Sequence, residues 1–305
     1  MWQVIDLVIH ELYYLAFTAL GIALGVLVMN YVMGRESVVR LVDRLGRWVT
    51  RLSGLPGYCS LPFVVSLVSP STASSMLVAM YRDGRLTRRE LYVASLINAF
   101  PALLSHLRTL VPVLLSTMGV YGLAYLSILM AIGLAQMLIF AIIGRRYAAG
   151  GKGVAGSAGL VSGNVLSLRR ALRLIVRMVV VTAVTSAAFT VVMGLGIDQY
   201  INDYLSHAFS ALNPYVVGLI VAYMVSDSAA FAAAGTLISN GFSGTLVIRW
   251  LLLGYVVSSL VRGVRHNAPY YLGIYGFRDG VAILLISILT RALLALVVLG
   301  VLWLV

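Results

Sequence analysis

From Thr109 to Gly144 the chain carries no Asp, Glu, Lys or Arg, a stretch too long and too apolar for the surface of a soluble globule. In hydrocarbon every backbone N–H and C=O must be paired within the chain, which restricts membrane-crossing segments to helices and closed barrels. No stretch alternates as a barrel strand does, whereas apolar runs of about twenty residues recur. Candidate spans fall at 10–33, 89–118, 121–144, 173–196, 246–276 and 281–304. With 61% of residues hydrophobic, 10% charged and a mean hydropathy of +0.99, polar side chains are too few to cover a soluble fold of this size. The expected class is an all-α polytopic membrane protein. The first run continues to Met33 with no preceding Lys or Arg, which suits a retained span rather than a cleaved signal peptide.

Two further apolar segments, 58–81 and 215–238, are interrupted by small polar clusters, Ser69-Pro70-Ser71-Thr72 and Ser226-Asp227-Ser228. A shift of 157 residues brings them together without a gap: Tyr58 falls on Tyr215, Ser69 on Ser226, Ser71 on Ser228, Gly84 on Gly241, Arg108 on Arg265, Pro112 on Pro269 and Gly119 on Gly276. Matched arginines and prolines are rare in membrane segments, so the chain reads as two copies of one unit. The expected parts are a first copy at 1–147, a Gly/Ala/Ser-rich linker at 148–168 and a second copy at 169–305. Each copy reads as a span, an interfacial helix, a re-entrant hairpin, a broken span and a final span. Hairpins add no crossing, so each copy crosses three times and the second enters the membrane inverted, for about six spans in all.

Charge placement agrees with that topology. With both termini outside, Arg35–Arg51, Arg82–Arg89, Arg145–Lys152 and Arg169–Arg177 face the cytoplasm, and Asp6, Glu11, Asp198 and Asp203 lie outside. The net charge of +12 therefore reports orientation in the cell membrane rather than nucleic-acid binding. Residues 36–54 suit a helix lying in the inner interface, with 198–212 as the outer counterpart. The single cysteine, Cys59, excludes an intrachain disulfide.

The segments 88–119 and 245–277 would each be ~50 Å long as unbroken helices, against a hydrocarbon core of roughly 30 Å. Pro112 and Pro269 place breaks beside two basic clusters, which contain His106 and Arg108 in one and Arg262, Arg265, His266 and Asn267 in the other. Arginine within a membrane segment needs a partner. Either Arg108 and Arg265 fork onto a phosphate or carboxylate, or they brace unwound carbonyls and Asp227. Ser71, Thr72, Ser74, Ser226 and Ser228 suit either capping of half-helices or contact with solute. Asp227, which stands where the first copy has Pro70, either carries a coupling proton or sodium or caps its helix and pairs with Arg265. Asn98, Gln136 and Arg291 read as interhelical packing groups. His10, His106, His207 and His266 share no metal-binding spacing, and no phosphate-binding glycine loop or nucleophile elbow is present. Neither a metal site, nor a cofactor, nor catalysis is expected.

The run SLVSPSTASSMLVAMYRDGRLTRRELYVASLINAFPALLSHLRTLVP, residues 66–112, resembles the nucleoside-recognition or gate domain found in concentrative nucleoside transporters, ferrous iron transporter B and spore-maturation membrane proteins. The repeat extends a weaker resemblance over 215–276. The resemblance implies an elevator in which hairpin tips and broken helices line the solute site, with Ser69, Ser71, Thr72, Ser226, Asp227 and Ser228 at the tips, and an assembly that is a trimer. Nucleoside carriers meet base and ribose with carboxylates and amides, whereas this chain offers arginine, histidine and serine. The leading expectation is an elevator-type secondary transporter for a small polar, anionic solute, a phosphorylated metabolite or an organic acid. A nucleoside transporter, a lipid-headgroup transporter and a non-transporting membrane assembly protein are the alternatives.

Overall fold

The computed structural model describes residues 20, 46–148, 172–173, 176, 179–180, 184, 213–263 and 267–304, without the side chains of Arg108, Ala148 and Val225. The expected spans at 10–33 and 173–196, the linker and the outer interfacial helix fall wholly or largely outside these residues. Every regular element among the described residues is helical. After a helical segment at 46–53 and a 3-10 turn at Gly57–Cys59, the order is α1 (Ser60–Ser66), α2 (Pro70–Arg82), α3 (Arg88–Ile97), α4 (Ala99–Ser105), α5 (Leu107–Met118) and α6 (Val120–Ala148). Then come α7 (Pro214–Val225), α8 (Asp227–Ser239), α9 (Gly244–Arg262), α10 (Ala268–Tyr275) and α11 (Phe277–Leu304).

Three helices, Val120–Tyr147, Gly244–Arg262 and Phe277–Leu304, are long and apolar enough to cross a membrane. A fourth joins them if Arg88–Ser105 and Thr109–Met118 form one broken span. This is an all-helical membrane protein. Residues 46–53 carry the amphipathic pattern expected of 36–54, with Val49, Thr50 and Ser53 buried and Arg47, Trp48 and Arg51 exposed.

The described residues divide into two compact units, 46–105, 136–148 and 268–283 in the first and 106–135, 213–263, 267 and 284–304 in the second. In the first, α1 and α2 form a hairpin, and α2 also packs on α3, α4 and α10. Thr72 to Met80 are buried without interruption, so α2 is a central helix enclosed on all sides, and its small serines and alanines let neighbours approach. A capping box starts α3: Glu90 N–H donates to Thr87 Oγ1 at 3.3 Å and Thr87 N–H to Glu90 Oε2 at 2.7 Å.

In the second unit α7 and α8 form a hairpin, α9 packs on both, and α8 packs on α5. The buried rings of Tyr125, Tyr223 and Phe231 meet edge to face in the core, with Leu114, Leu219 and Leu251 among their apolar neighbours. The α8–α5 approach is set by Gly235. A Cβ there would lie 2.2 Å from the Thr117 carbonyl oxygen, so only glycine allows the backbones this close.

Helix boundaries recur at the 157-residue shift. α2 and α8 have the same length and start on matched positions, and α6 and α11 also start on matched positions. Gly84 and Gly241 (φ 72° and 91°) form matched left-handed turns, and Gly119 and Gly276 (φ 59° and 84°) are matched one-residue joints. The first proline differs from expectation, because it does not mark its break. The interruption lies at His106, and Pro112 stands inside α5. Pro269 is the second residue of α10, two residues after the π-helical Asn267.

Gly235→Ala is expected to force α8 off α5 and to destabilise by about 1–3 kcal/mol, as overpacking does. Gly218→Ala, where a Cβ meets no atom within 4 Å, serves as the tolerant control in thermal unfolding of the detergent-purified protein.

Candidate functional site

Each unit carries one polar cluster at the joint of its hairpin. In the first, the chain leaves α1 through Leu67 and Val68 and re-enters the helical state at Ser69, whose extended backbone (φ −142°) makes it the N-cap of α2. Ser69 Oγ accepts from Thr72 N–H at 3.3 Å and lies 2.8 Å from Thr72 Oγ1 and 3.3 Å from Ser71 Oγ. The serines therefore cap the helix and also form a hydroxyl group cluster. Tyr270 on α10 reaches this tip, its hydroxyl 2.7 Å from Ser74 Oγ and 2.9 Å from the Pro70 carbonyl. Tyr275 continues the chain of hydroxyls, hydrogen-bonded to Ser74 and Ser95. Ser66 Oγ donates to the Asn98 carbonyl at 3.2 Å, where α3 gives way to α4. Asn98 Nδ2 is buried with no partner among the described residues.

The same unit holds an ion pair between the starts of α3 and α11. Arg88 donates to Asp279 Oδ1 through Nε at 2.7 Å and Nη2 at 2.6 Å, and the Tyr92 hydroxyl donates to the same oxygen at 2.7 Å.

The second tip is built on charge and aromatic faces. Ser226 caps α8, accepting from Ala229 N–H at 3.1 Å. Asp227, the next residue, accepts from Nη1 of Arg262 at the end of α9. The Arg262 guanidinium lies over the rings of Tyr223, 4.6 Å from the centroid, and Tyr255, at 5.1 Å. Both rings present their negative faces to the cation. The Tyr223 and Tyr125 hydroxyls are hydrogen-bonded behind it. Arg262 Nε is buried without a partner among the described residues. The arginine side chain is 15% exposed and the aspartate 51%.

Ser69, Ser71 and Thr72 thus meet in the first unit, and Ser226, Asp227 and Ser228 at the second tip. His106, at the N-cap of α5, and the exposed Asn267 belong to the second unit as well. Arg265, His266 and the Arg108 side chain lie outside the described residues. The partner of Asp227 is Arg262, one turn before the arginine expected from sequence. Sequence reasoning also passed over Tyr223, Tyr255 and Tyr270. Tyr255 and Arg262 stand seven apart on α9 and so share a face, which is the one signal that pointed to the cage in advance.

No family model matches the chain, and no solved structure matches it. The uncharacterized protein MJ1556 of Methanocaldococcus jannaschii is 31% identical over 295 residues, which cover 92% of this chain and 93% of that protein. The chain belongs to the family of MJ1556. Two more uncharacterized proteins of the same organism are similar: MJ0871 is 24% identical over 90% of this chain and 89% of its own length. MJ0880 is 20% identical over 94% and 98%. These matches run through both halves of the chain, so the family's common length includes both hairpin tips.

Ser69→Ala is expected to cost about 1 kcal/mol through loss of the cap. Tyr270→Phe should cost a similar amount by removing the hydroxyl that bridges Ser74 and the Pro70 carbonyl. Thermal unfolding of the two variants and their combination checks this; a penalty in the double variant that departs from the sum measures coupling across the tip.

Proposed function

We propose that this chain is a secondary membrane transporter of elevator type for a small polar, anionic solute, a phosphorylated metabolite or an organic acid. The observation that carries the reading is the Arg262 guanidinium, largely enclosed at a hairpin tip among apolar helices. A charge in such surroundings is costly, and intramembrane arginines mark solute or ion pathways unless structure alone requires them. In this reading 1–147 and 169–305 are two oppositely inserted copies with both termini outside, and the hairpins are re-entrant. The recurrence of caps, turn glycines and helix starts at a 157-residue shift supports the two copies. The capped half-helices α2 and α8 turn N-terminal amides toward the tips, a setting that favours anions.

Solute contact is assigned to Ser69, Ser71, Thr72, His106, Arg108, Ser226, Ser228, Arg265, His266 and Asn267, and ion coupling to Asp227. A nucleoside is the second reading, favoured by the chain of neutral hydroxyls from Tyr270 through Ser74 to Tyr275, which suits ribose hydroxyls as donors and acceptors.

Thermal unfolding of wild type and Arg265→Ala against nucleosides, phosphate esters and carboxylates separates the two, because a ligand selective for the folded state raises its stability. The anionic reading expects the variant to fold, lose stabilisation by anions and fail to take up solute in proteoliposomes. Stabilisation of both proteins by nucleosides and by no anion overturns it.

A further inference from the structure

Of the two members of the ion pair at the second tip, only one is free to leave. Arg262 is clasped between the Tyr223 and Tyr255 rings and is 15% exposed, whereas Asp227 is 51% exposed and stands in the first turn of α8. The contact between them is made by Nη1 and a single carboxylate oxygen, and the buried Nε has no partner among the described residues. An arginine offers donors in a planar fork that matches a carboxylate or phosphate edge to edge. Asp227 therefore occupies the guanidinium without using the fork.

The geometry points to an anion site at Arg262 that Asp227 fills when no solute is bound, so that each solute carboxylate or phosphate binds together with one proton taken up by Asp227. This rests on the transporter reading and adds its coupling. If the solute took the fork while Asp227 stayed ionised, two anions would share one cation among aromatic rings. Like charges sharing a site favour protonation of one of them. The neutral acid is then released from the guanidinium, the solute replaces it, and the charge at the tip is unchanged for a monoanion. Other titratable or charged groups around Asp227 are Tyr255 and Arg262 of α9, Tyr223 of α7 and Tyr125 of α6. α5, which also packs on α8, begins with His106 and Arg108, and Arg265 and His266 follow α9 in sequence.

The sign follows from linkage. Asp227 is ionised in the empty site and protonated in the loaded one, so binding weakens as pH rises, by up to about tenfold in Kd for each pH unit. Acetate, fumarate and sulfate are the probes, because they keep their charge between about pH 6 and about pH 8, and binding is read as thermal stabilisation of the intact protein in detergent. Wild type should be stabilised more at the lower pH. Asp227→Asn, which keeps the shape and removes the competing charge, should bind as well at the higher pH as at the lower. Arg262→Gln should lose the stabilisation. His106→Gln and His266→Gln, at residues assigned to solute contact, should change how far an anion stabilises the protein but not the pH slope, and a slope that disappears in either overturns the assignment to Asp227.

Anion binding that is flat in pH in wild type overturns the proton coupling and leaves an anion carrier. No stabilisation by any of the three in wild type and in Asp227→Asn overturns the anion site itself. Uridine in the same series keeps the broader reading separable, since its binding in that case leaves a solute transporter with a neutral substrate. If Arg262→Gln does not fold, the Asp227→Asn profile alone decides.

Discussion

A backbone amide away from water must find its partner within the chain, and this requirement shapes both hairpin joints. At the first hairpin joint Ser69 takes up a free amide of α2, and at the second Ser226 does the same for α8. The Tyr270 hydroxyl covers the Pro70 carbonyl, and Thr109 Oγ1 donates to the carbonyl of His106, where α4 ends and α5 begins. Hydroxyls that pair with backbone groups therefore gather at these joints, and polar chemistry and helix breaks coincide there.

The two units satisfy that requirement with different chemistry on matched positions. Tyr270, Ser74, Tyr275 and Ser95 join hydroxyls in the first unit. Shifted by 157 residues these become Val113, Phe231, Met118 and Leu252. Conversely Tyr223, Asp227, Tyr255 and Arg262 match Ser66, Pro70, Asn98 and Ser105. One tip is neutral and rich in hydroxyls, the other holds an ion pair within an aromatic cage.

In each unit the second helix of a hairpin packs on a short helix from the other half of the chain, α2 on α10 and α8 on α5. Neither half therefore completes a compact unit from its own sequence, and α6 and α11 each contribute to both units. Close helix contacts of this kind depend on small residues: Gly235 stands against Thr117, and a run of alanines and serines lines α2.

Helicity, long spans, breaks at Ser69 and Ser226 and the spacing of matched turns follow from the sequence by itself. Hydrophobic run length, N-cap chemistry and left-handed glycines act over a few residues and are legible without a fold. Proline was less informative, since its effect depends on where the helix begins: Pro112 lies inside a helix that had already restarted after His106. The candidate site was legible only as an inventory. Asp227 and a basic cluster were visible, but an arginine chooses its partner by distance through space. Only the packing of α7, α8 and α9 decided for Arg262, because it alone brings Tyr223 and Tyr255 to the guanidinium and leaves the carboxylate at the edge.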